Sequence, residues 1–324
     1  YYAPTAGNIG IPLCKYAYDL DNIKRIDWLI VELSSYQIEI AKEIKPKIGI
    51  WTTFSPDHLE RHKTLNNYFS IKKHLLNQSN LRIYNYDDKY LRNSYGSLPI
   101  GSWITTDHSN KAYSRCDYWL DEEGFIVEKN MRLFNSKYFN LKGNHNLQNL
   151  LLATAAARAM GLNGEAIKNS LTKYKHLPHR YETIYKDKYI EIINDSKATN
   201  FDSSIAGLQS INGEGIIIAG GRIKDGDTKL WVNTLIQKSH SIFLFGESSK
   251  ELKNILIKGG FKKEIYIFNE LRDLINKVLL FSKKNNIKVL LFSPSCSSFD
   301  QFKDYEERGN VFKDLIRNHY PQFL

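Results

Sequence analysis

The chain has 324 residues, 42% hydrophobic and 25% charged, which is the make-up of a soluble globular protein with room for two separate cores. Its net charge of +10 attracts anions; Lys and Arg are scattered rather than gathered in a stripe and no nucleic-acid-binding fingerprint occurs, so small phosphorylated or carboxylated metabolites are expected rather than nucleic acid. No apolar run is long enough to span a bilayer, and Cys14, Cys116 and Cys296 form no CxxC pair, which argues against membrane insertion, a disulfide framework or a zinc site and for a reducing cytoplasm.

The chain opens on Tyr1-Tyr2-Ala3-Pro4 rather than Met, so a fragment lacking an upstream part is expected. Ala6–Leu13, with Gly7 and Gly10, reads as a turn leading into a helix. Asp27–Leu33 reads as a buried strand, and Ser34-Ser35-Tyr36-Gln37 opens a helix carrying Ile38, Ala41 and Ile44. Glu32 falls near the C-terminal end of that strand. A buried carboxylate is costly there unless paired or metal-bound, and α/β sheets bind ligands at that end. Lys47–Thr53 is the next strand, followed at once by Asp57, His58 and Glu60. A lone histidine is more often structural, but a His and an Asp at a second strand end can join Glu32 at one site. Leu65–Gln78 is an amphipathic helix containing Tyr68, Ile71, Leu75 and Leu76, and its Lys72 and Lys73 read as solvated. Leu81–Asn85 is a further strand. Residues 98 to 142 read as short strands and hairpins without chemistry.

Gly143–Asn149 caps a small-residue helix, Leu150–Ala157. Asn146 and Asn149 share a helix face, and two buried amides would suit a planar ligand such as a purine; one capping and one exposed Asn is the competing reading. Asn163 caps another helix, through Leu171. Lys175–Glu182 then breaks the pattern, which places a domain boundary at about residue 176.

Beyond it come a hairpin (181–193), the loop Asn194–Asn200, a helix with Ile205, Leu208 and Ile211, and the strand Gly215–Ala219, which leads into Gly220, Gly221 and Lys224. Strands at 241–245, 264–268 and 287–292 alternate with helices at about 248–258, 270–284 and 306–318. That alternation predicts a doubly wound parallel sheet with its ligand beyond the strand C-termini, where Lys197, Lys224 and the segment after Phe292 lie. In the Asn194–Asn200 loop, backbone N–H groups and a helix dipole meet Asp195, Lys197 and Thr199. Helix capping and an anion site both account for this loop, but a cap has no use for the lysine. Ser293–Phe302 is rich in hydroxyls and precedes a helix, which suits a carboxylate. Cys296 has no nearby His partner and reads as a packed cysteine rather than a nucleophile.

Taken together, Gly7–Gly10, Glu32–Gln37, Asp57-His58-Leu59, Gly143–Asn146 with Asn149, Pro178-His179-Arg180, Asn194–Asn200, Gly220-Gly221 with Lys224, and Ser293–Phe302 with Arg308-Gly309 resemble the motifs of the Mur ligases. They occur in family order over nearly the whole chain, and Asp195–Asn200 with Ser298–Phe302 is specific to the D-glutamate-adding branch. The resemblance implies an α/β fold: a partial central ATPase domain (1–176), then a Rossmann-like doubly wound domain (177–324) that binds the amino acid. It implies a reaction in which ATP phosphorylates the carboxylate of UDP-MurNAc-L-alanine, the amine of D-glutamate attacks the acyl phosphate, and phosphate leaves, with Mg²⁺ and cations neutralising charge. Carried over by position, Glu32 and His58 hold Mg²⁺. Lys72 matches a lysine that is carbamylated into a further metal ligand, so His58, Lys72 and Lys197 are the catalytic set. Asn8 touches the nucleotide sugar. Asn146, Asn149, Arg180 and Asp195 hold ATP. Lys197, Thr199, Lys224, Ser298, Phe299 and Tyr305 form the D-glutamate pocket, where two cations and hydroxyls answer two carboxylates. A cytoplasmic monomer is expected.

The sequence departs from the family pattern at Thr53, where Asn is frequent, and Glu60, where Asp is usual. It contains no GxxGK[ST] phosphate loop and no uridine-binding domain, so the chain by itself is expected to bind nucleotide poorly and turn over little. Two alternatives remain open on the sequence. One is a related amide ligase, such as a folylpolyglutamate synthetase or a Mur ligase using another amino acid, against which Lys197, Lys224 and Ser298 argue. The other is a non-catalytic substrate-binding remnant.

Overall fold

The computed structural model describes residues 2–18, 26–41, 43–107, 109–141, 143–174, 177–224 and 226–320. The boundary expected at about residue 176 falls outside the described residues. The chain forms two compact units, one of residues 1–134 and 151–164, the other of 135–150 and 165–324.

The first unit runs β1 (Thr5–Gly7), α1 (Leu13–Tyr18), β2 (Ile30–Glu32), α2 (Ser35–Ile40), β3 (Ile48–Trp51), α3 (Leu59–His62), α4 (Leu65–Gln78), β4 (Leu81–Asn85), α5 (Lys89–Asn93), β5 (Ser102–Thr105), α6 (Asn110–Tyr113), β6 (Tyr118–Leu120), β7 (Phe125–Glu128) and β8 (Met131–Asn135). β1 and β2 form a parallel pair of their own, and β3 to β8 lie in chain order in a second sheet, parallel as far as β6. Trp51, Phe54, Tyr68, Leu76, Tyr84, Leu91 and Trp103 pack as its aromatic core. Thr64 caps α4 by accepting the Asn67 N–H. The strand around Glu32 departs from expectation: it is three residues long, Ile30 is 51% exposed, and Glu32 is exposed. β2 pairs only with β1, so its apolar residues have no second sheet neighbour to cover them.

α7 (Asn144–Ala159) follows a 3₁₀ turn at Ser136–Tyr138 and divides between the two units at Leu150 and Leu151. Next comes α8 (Gly164–Leu171). The second unit then continues β9 (Glu182–Lys186), β10 (Glu191–Asn194), α9 (Phe201–Ser210), β11 (Gly215–Gly220), α10 (Thr228–Lys238), β12 (Ser239–Phe245), α11 (Ser249–Lys258), β13 (Glu264–Ile267), α12 (Leu271–Asn285), β14 (Val289–Ser295) and α13 (Tyr305–Arg317). α10 is the one helix of this alternation that the sequence reading passed over. The sheet order is β13-β12-β11-β14-β10-β9, parallel throughout except for β9.

The period of two along each strand divides the core between the two faces. Ile217, Ala219, Ile242, Leu244 and Leu291 pack with Trp231 of α10 and Leu208 of α9 on one side. Ile216, Ile218, Phe243, Phe245, Leu290 and Phe292 pack with Val278 of α12 and Phe312 of α13 on the other. Both faces being covered, the strands are continuous apolar runs. The chain steps one way from β10 through β11 and β12 to β13, then returns to insert β14 between β10 and β11, so the direction of winding reverses at β14 and the C-terminal ends of β10, β14 and β11 mark the candidate crevice.

Candidate active-site residues and their setting

In the first unit, two strand ends and one helix gather the charged groups. Gly7 has φ +112°, and a Cβ there would lie 2.1 Å from the Glu32 carbonyl oxygen, so only glycine lets β1 end against β2. Asn8 donates its N–H to that same carbonyl at 2.8 Å, which places Asn8 beside the turn after Glu32. Ser34 and Gln37 close a capping box on α2. His58 sits at φ +55°, its N–H bonded to Asp57 Oδ1 at 2.9 Å. Its ring lies 3.6 Å from Asp57 Oδ2 and edge-on to Tyr36 at 5.2 Å. Lys72 on α4 is not the solvated lysine its helix suggests. Burial lowers its pKa, while the Asp57 and Glu32 carboxylates push it back up. Its ammonium lies 5.0 Å from the Tyr68 ring centroid, and His62 stacks on that ring at 5.2 Å. The charges of Asp57 and Glu32 thus both act on Lys72.

No group of three or more His, Cys, Asp and Glu poised for a metal occurs among the described residues. The donor set is therefore short of a closed cage. Glu32 and Asp57 offer carboxylate oxygens, the hard donors that Mg²⁺ takes.

In the second unit, three loops meet at the crevice. Arg308 of α13, fully buried, ties two of them together. Its Nε donates to Ser196 Oγ (3.1 Å), Nη1 to the Cys296 carbonyl (2.9 Å) and Nη2 to the Ser196 carbonyl (2.7 Å). With water excluded, its pKa falls to about 10. The third loop joins through Arg222 and Ser297, which exchange backbone hydrogen bonds of 3.0 and 2.9 Å. Gly221, at φ +125°, permits this approach, because a Cβ there would lie 2.3 Å from the Ser297 carbonyl. Lys197 lies with Nζ 3.8 Å from the Tyr305 ring centroid, and Ser196 Oγ donates to the Tyr305 carbonyl at 2.8 Å. Thr199 and Lys224 are half-buried. Ser298 is 2% exposed and Phe299 64%.

Asp195 faces inward. Its Oδ1 accepts the Tyr181 N–H at 3.1 Å and its Oδ2 the Ser293 hydroxyl at 2.9 Å. Desolvation raises its pKa to about 7, against the pull of Ser293, Tyr181, Arg180 and Arg308. Arg180 is exposed beside it. Asn146 and Asn149 do not form the pair of buried amides considered from sequence: Asn146 is half-buried and Asn149 exposed, because α7 spends its buried positions on Leu150, Leu151, Leu152, Thr154 and Ala155. Cys296 is a packed cysteine, its thiol pushed up to about 12 by burial.

The sequence reading gave no role to Arg308 or His179. His179 adopts φ +64°; its Nδ1 accepts from Asn194 Nδ2 at 2.9 Å, and its carbonyl accepts the Lys197 N–H at 3.0 Å. A Cβ on Gly309 would lie 2.2 Å from that ring. The signal for both residues was a glycine after an arginine inside a helix, at a place where only close packing justifies it.

A profile of the Mur ligase middle domain matches residues 8–157. The MurF ligase of Thermotoga maritima, solved in complex with ADP, shares the fold with a TM-score of 0.68 at 16% identity, over 98% of this chain and 74% of that one. The folylpolyglutamate synthase of Mycobacterium tuberculosis, complexed with ADP, gives 0.67 at 14%, over 93% and 70%. These likenesses define the class as the Mur ligase fold. At higher identity, the UDP-N-acetylmuramoylalanine--D-glutamate ligase of Prochlorococcus marinus (strain MIT 9312) is 63% identical over 315 residues, covering 97% of this chain and 67% of the relative. That of Parasynechococcus marenigrum (strain WH8102) is 39% identical over 97% of this chain and 68% of its own length. The chain belongs to the UDP-N-acetylmuramoylalanine--D-glutamate ligases, and it spans about two thirds of the length of these relatives.

Proposed function

We propose that this chain carries the metal–lysine and amino-acid-binding parts of an ATP-dependent ligase that joins D-glutamate to the carboxylate of UDP-MurNAc-L-alanine through an acyl phosphate. The observation that carries this reading is the 63% identity to a ligase of that name across 97% of the chain. Residues 1–176 serve as the central domain and 177–324 as the amino-acid domain, in a cytoplasmic monomer. No helix among the described residues is long and apolar enough to cross a membrane, which agrees with soluble substrates.

Glu32 and His58 hold Mg²⁺, with Lys72 as a third ligand once its amine is carbamylated. The burial that lowers the Lys72 pKa favours the neutral amine which that modification needs. ATP and Mg²⁺ together supply the transferable phosphoryl group and the positive charge that shields it. Asn8 holds the nucleotide sugar at the end of β1. Asn146, Asn149 and Arg180 hold ATP, and Asp195, with both oxygens taken, supports that place by fixing the Tyr181 turn. Lys197 and Lys224 pair with the two carboxylates of D-glutamate. Thr199 and Ser298 add hydroxyl donors, and Phe299 and Tyr305 wall the pocket, leaving the amine to attack.

The test is phosphate release from ATP with UDP-MurNAc-L-alanine, run on this chain and on a chimaera that adds the N-terminal third of the 63%-identical relative. Release by the chimaera that needs D-glutamate and ignores L-glutamate is the expected result. No release from either sinks the ligase reading and favours a substrate-binding protein.

A further inference from the structure

In the Ser298–Phe302 stretch, the proposed pocket role reaches only the first two residues. Asp300 and Gln301 hold the neighbouring turns, at the C-terminal ends of β12 and β13. Asp300 Oδ2 accepts the Glu247 N–H at 3.1 Å, at the turn that ends β12. Gly246 makes this possible: it has φ +80°, and a Cβ there would lie 2.3 Å from the same carboxylate oxygen. Gln301 bridges the start of α12, its Nε2 donating to the Asn269 carbonyl at 2.6 Å and its Oε1 accepting the Leu271 N–H at 3.4 Å. The Gly246 N–H also donates to the Asn269 carbonyl, at 3.1 Å, so the two grips close on one backbone junction. Phe302 packs against the hydrophobic cluster of Phe292 and Phe312. On the near side, the Ser298 carbonyl accepts the N–H of Gln301 (3.2 Å) and of Phe302 (2.9 Å), which ties the pocket residue directly to the grip.

We propose that Asp300 and Gln301 are positioning residues. They clamp the Ser298–Phe302 turn to the ends of β12 and α12 and so fix where Ser298 and Phe299 meet the amino acid, without touching it. This rests on the reading of the crevice as an amino-acid pocket. The clamp acts through backbone groups, so it demands an acceptor at position 300 but not a charge. It demands both a donor and an acceptor at 301. The other Asp300 oxygen, Oδ1, is buried without a hydrogen-bond partner, so no donor depends on it.

The chain would be studied unaltered and as Asp300→Asn, Asp300→Ala, Gln301→Ala and Gln301→Glu. Amide hydrogen exchange would be followed at 247, 271 and 297–302, Tm by calorimetry, and binding of D-glutamate, with L-glutamate as control, by NMR titration. The expected result is faster exchange at 297–302 and D-glutamate affinity lower by about tenfold in Asp300→Ala and Gln301→Glu, each losing one hydrogen bond to the backbone, and by at least as much in Gln301→Ala, which loses two. Asp300→Asn keeps its acceptor and stays near the unaltered chain. Tm moves by no more than about 4 °C in any of them. Equal damage from Asn and Ala at 300 overturns the proposal, since it would mean the charge itself meets the ligand. Unchanged exchange and affinity in the Ala variants also overturns it. If the unaltered chain binds no D-glutamate, the pocket reading fails and the ligand part of the proposal with it, while exchange still decides whether the clamp exists.

Discussion

A buried carboxylate at Asp195 has consequences that do not depend on any ligand. In the folded chain its pKa is raised from 3.8 to about 7, chiefly by desolvation. The folded state therefore holds this proton over a range in which the unfolded chain has released it. Stability from this group is complete below pH 4, is lost as pH rises to about 7, and is flat above that. Asp195→Asn keeps an oxygen for the Tyr181 N–H and cannot titrate. In urea unfolding at a series of pH values, the unaltered chain should lose stability relative to Asp195→Asn between pH 4 and 7, with no further divergence at pH 8. Parallel curves would show that Asp195 is solvated. The sequence marked Asp195 as a loop carboxylate and, by resemblance, an ATP contact, but not as a buried one. Its partners, Tyr181 and Ser293, lie 14 and 98 residues away, and burial by distant residues leaves no local trace.

Elements were legible where one face or both faces of a strand or helix had a covering partner. The strands of the second unit are apolar runs, and they formed within three residues of expectation, because an apolar run covered on both sides has little alternative. β2 misled, since the apolar run Leu29–Val31 looks the same whether or not a neighbour covers it. α9 shows a contest that propensity alone would decide wrongly. Gly207 lies in its interior, where Ala is favoured by about 1 kcal/mol. A Cβ at 207 would, however, lie 2.6 Å from Asp195 Oδ2. Overpacking of this kind costs about 1–3 kcal/mol, so Gly207→Ala should destabilise the chain in denaturant melts. In an Asp195→Ala background the same change should become stabilising; if it stays destabilising, the contact with Asp195 is not the reason for the glycine.

Across the whole molecule, length and composition anticipated two cores, and two compact units formed. The division itself was illegible, because α7 reads as one uninterrupted helix and yet contributes its two halves to different units. The placement of Lys197 and Lys224 at the crevice followed from topology alone: a doubly wound sheet exposes its loops at the strand C-termini whatever the loops contain. The cross-braces behind those loops, Arg308 and His179, left only the Arg308-Gly309 pair as a local signal, since the Ser196 partners of Arg308 lie 112 residues away.

The sheet order also sets a timetable for synthesis. β14 lies between β10 and β11 yet is made almost a hundred residues after β10. As the polypeptide leaves the ribosome, β10 and β11 cannot take up their final pairing, and the place between them must stay open until β14 arrives. The nascent chain therefore carries two unpaired strand edges from the completion of β11 until β14 is made, which is when a chaperone has most to offer it. A chain stopped at Asn286 should expose those edges, aggregate, and fail to hold D-glutamate, as sedimentation and NMR would show, although it retains Lys197, Thr199 and Lys224. Any translation product that ends before β14 lacks the strand that joins β10 to β11, and with it the brace that Arg308 makes between the loops that follow β10 and β14.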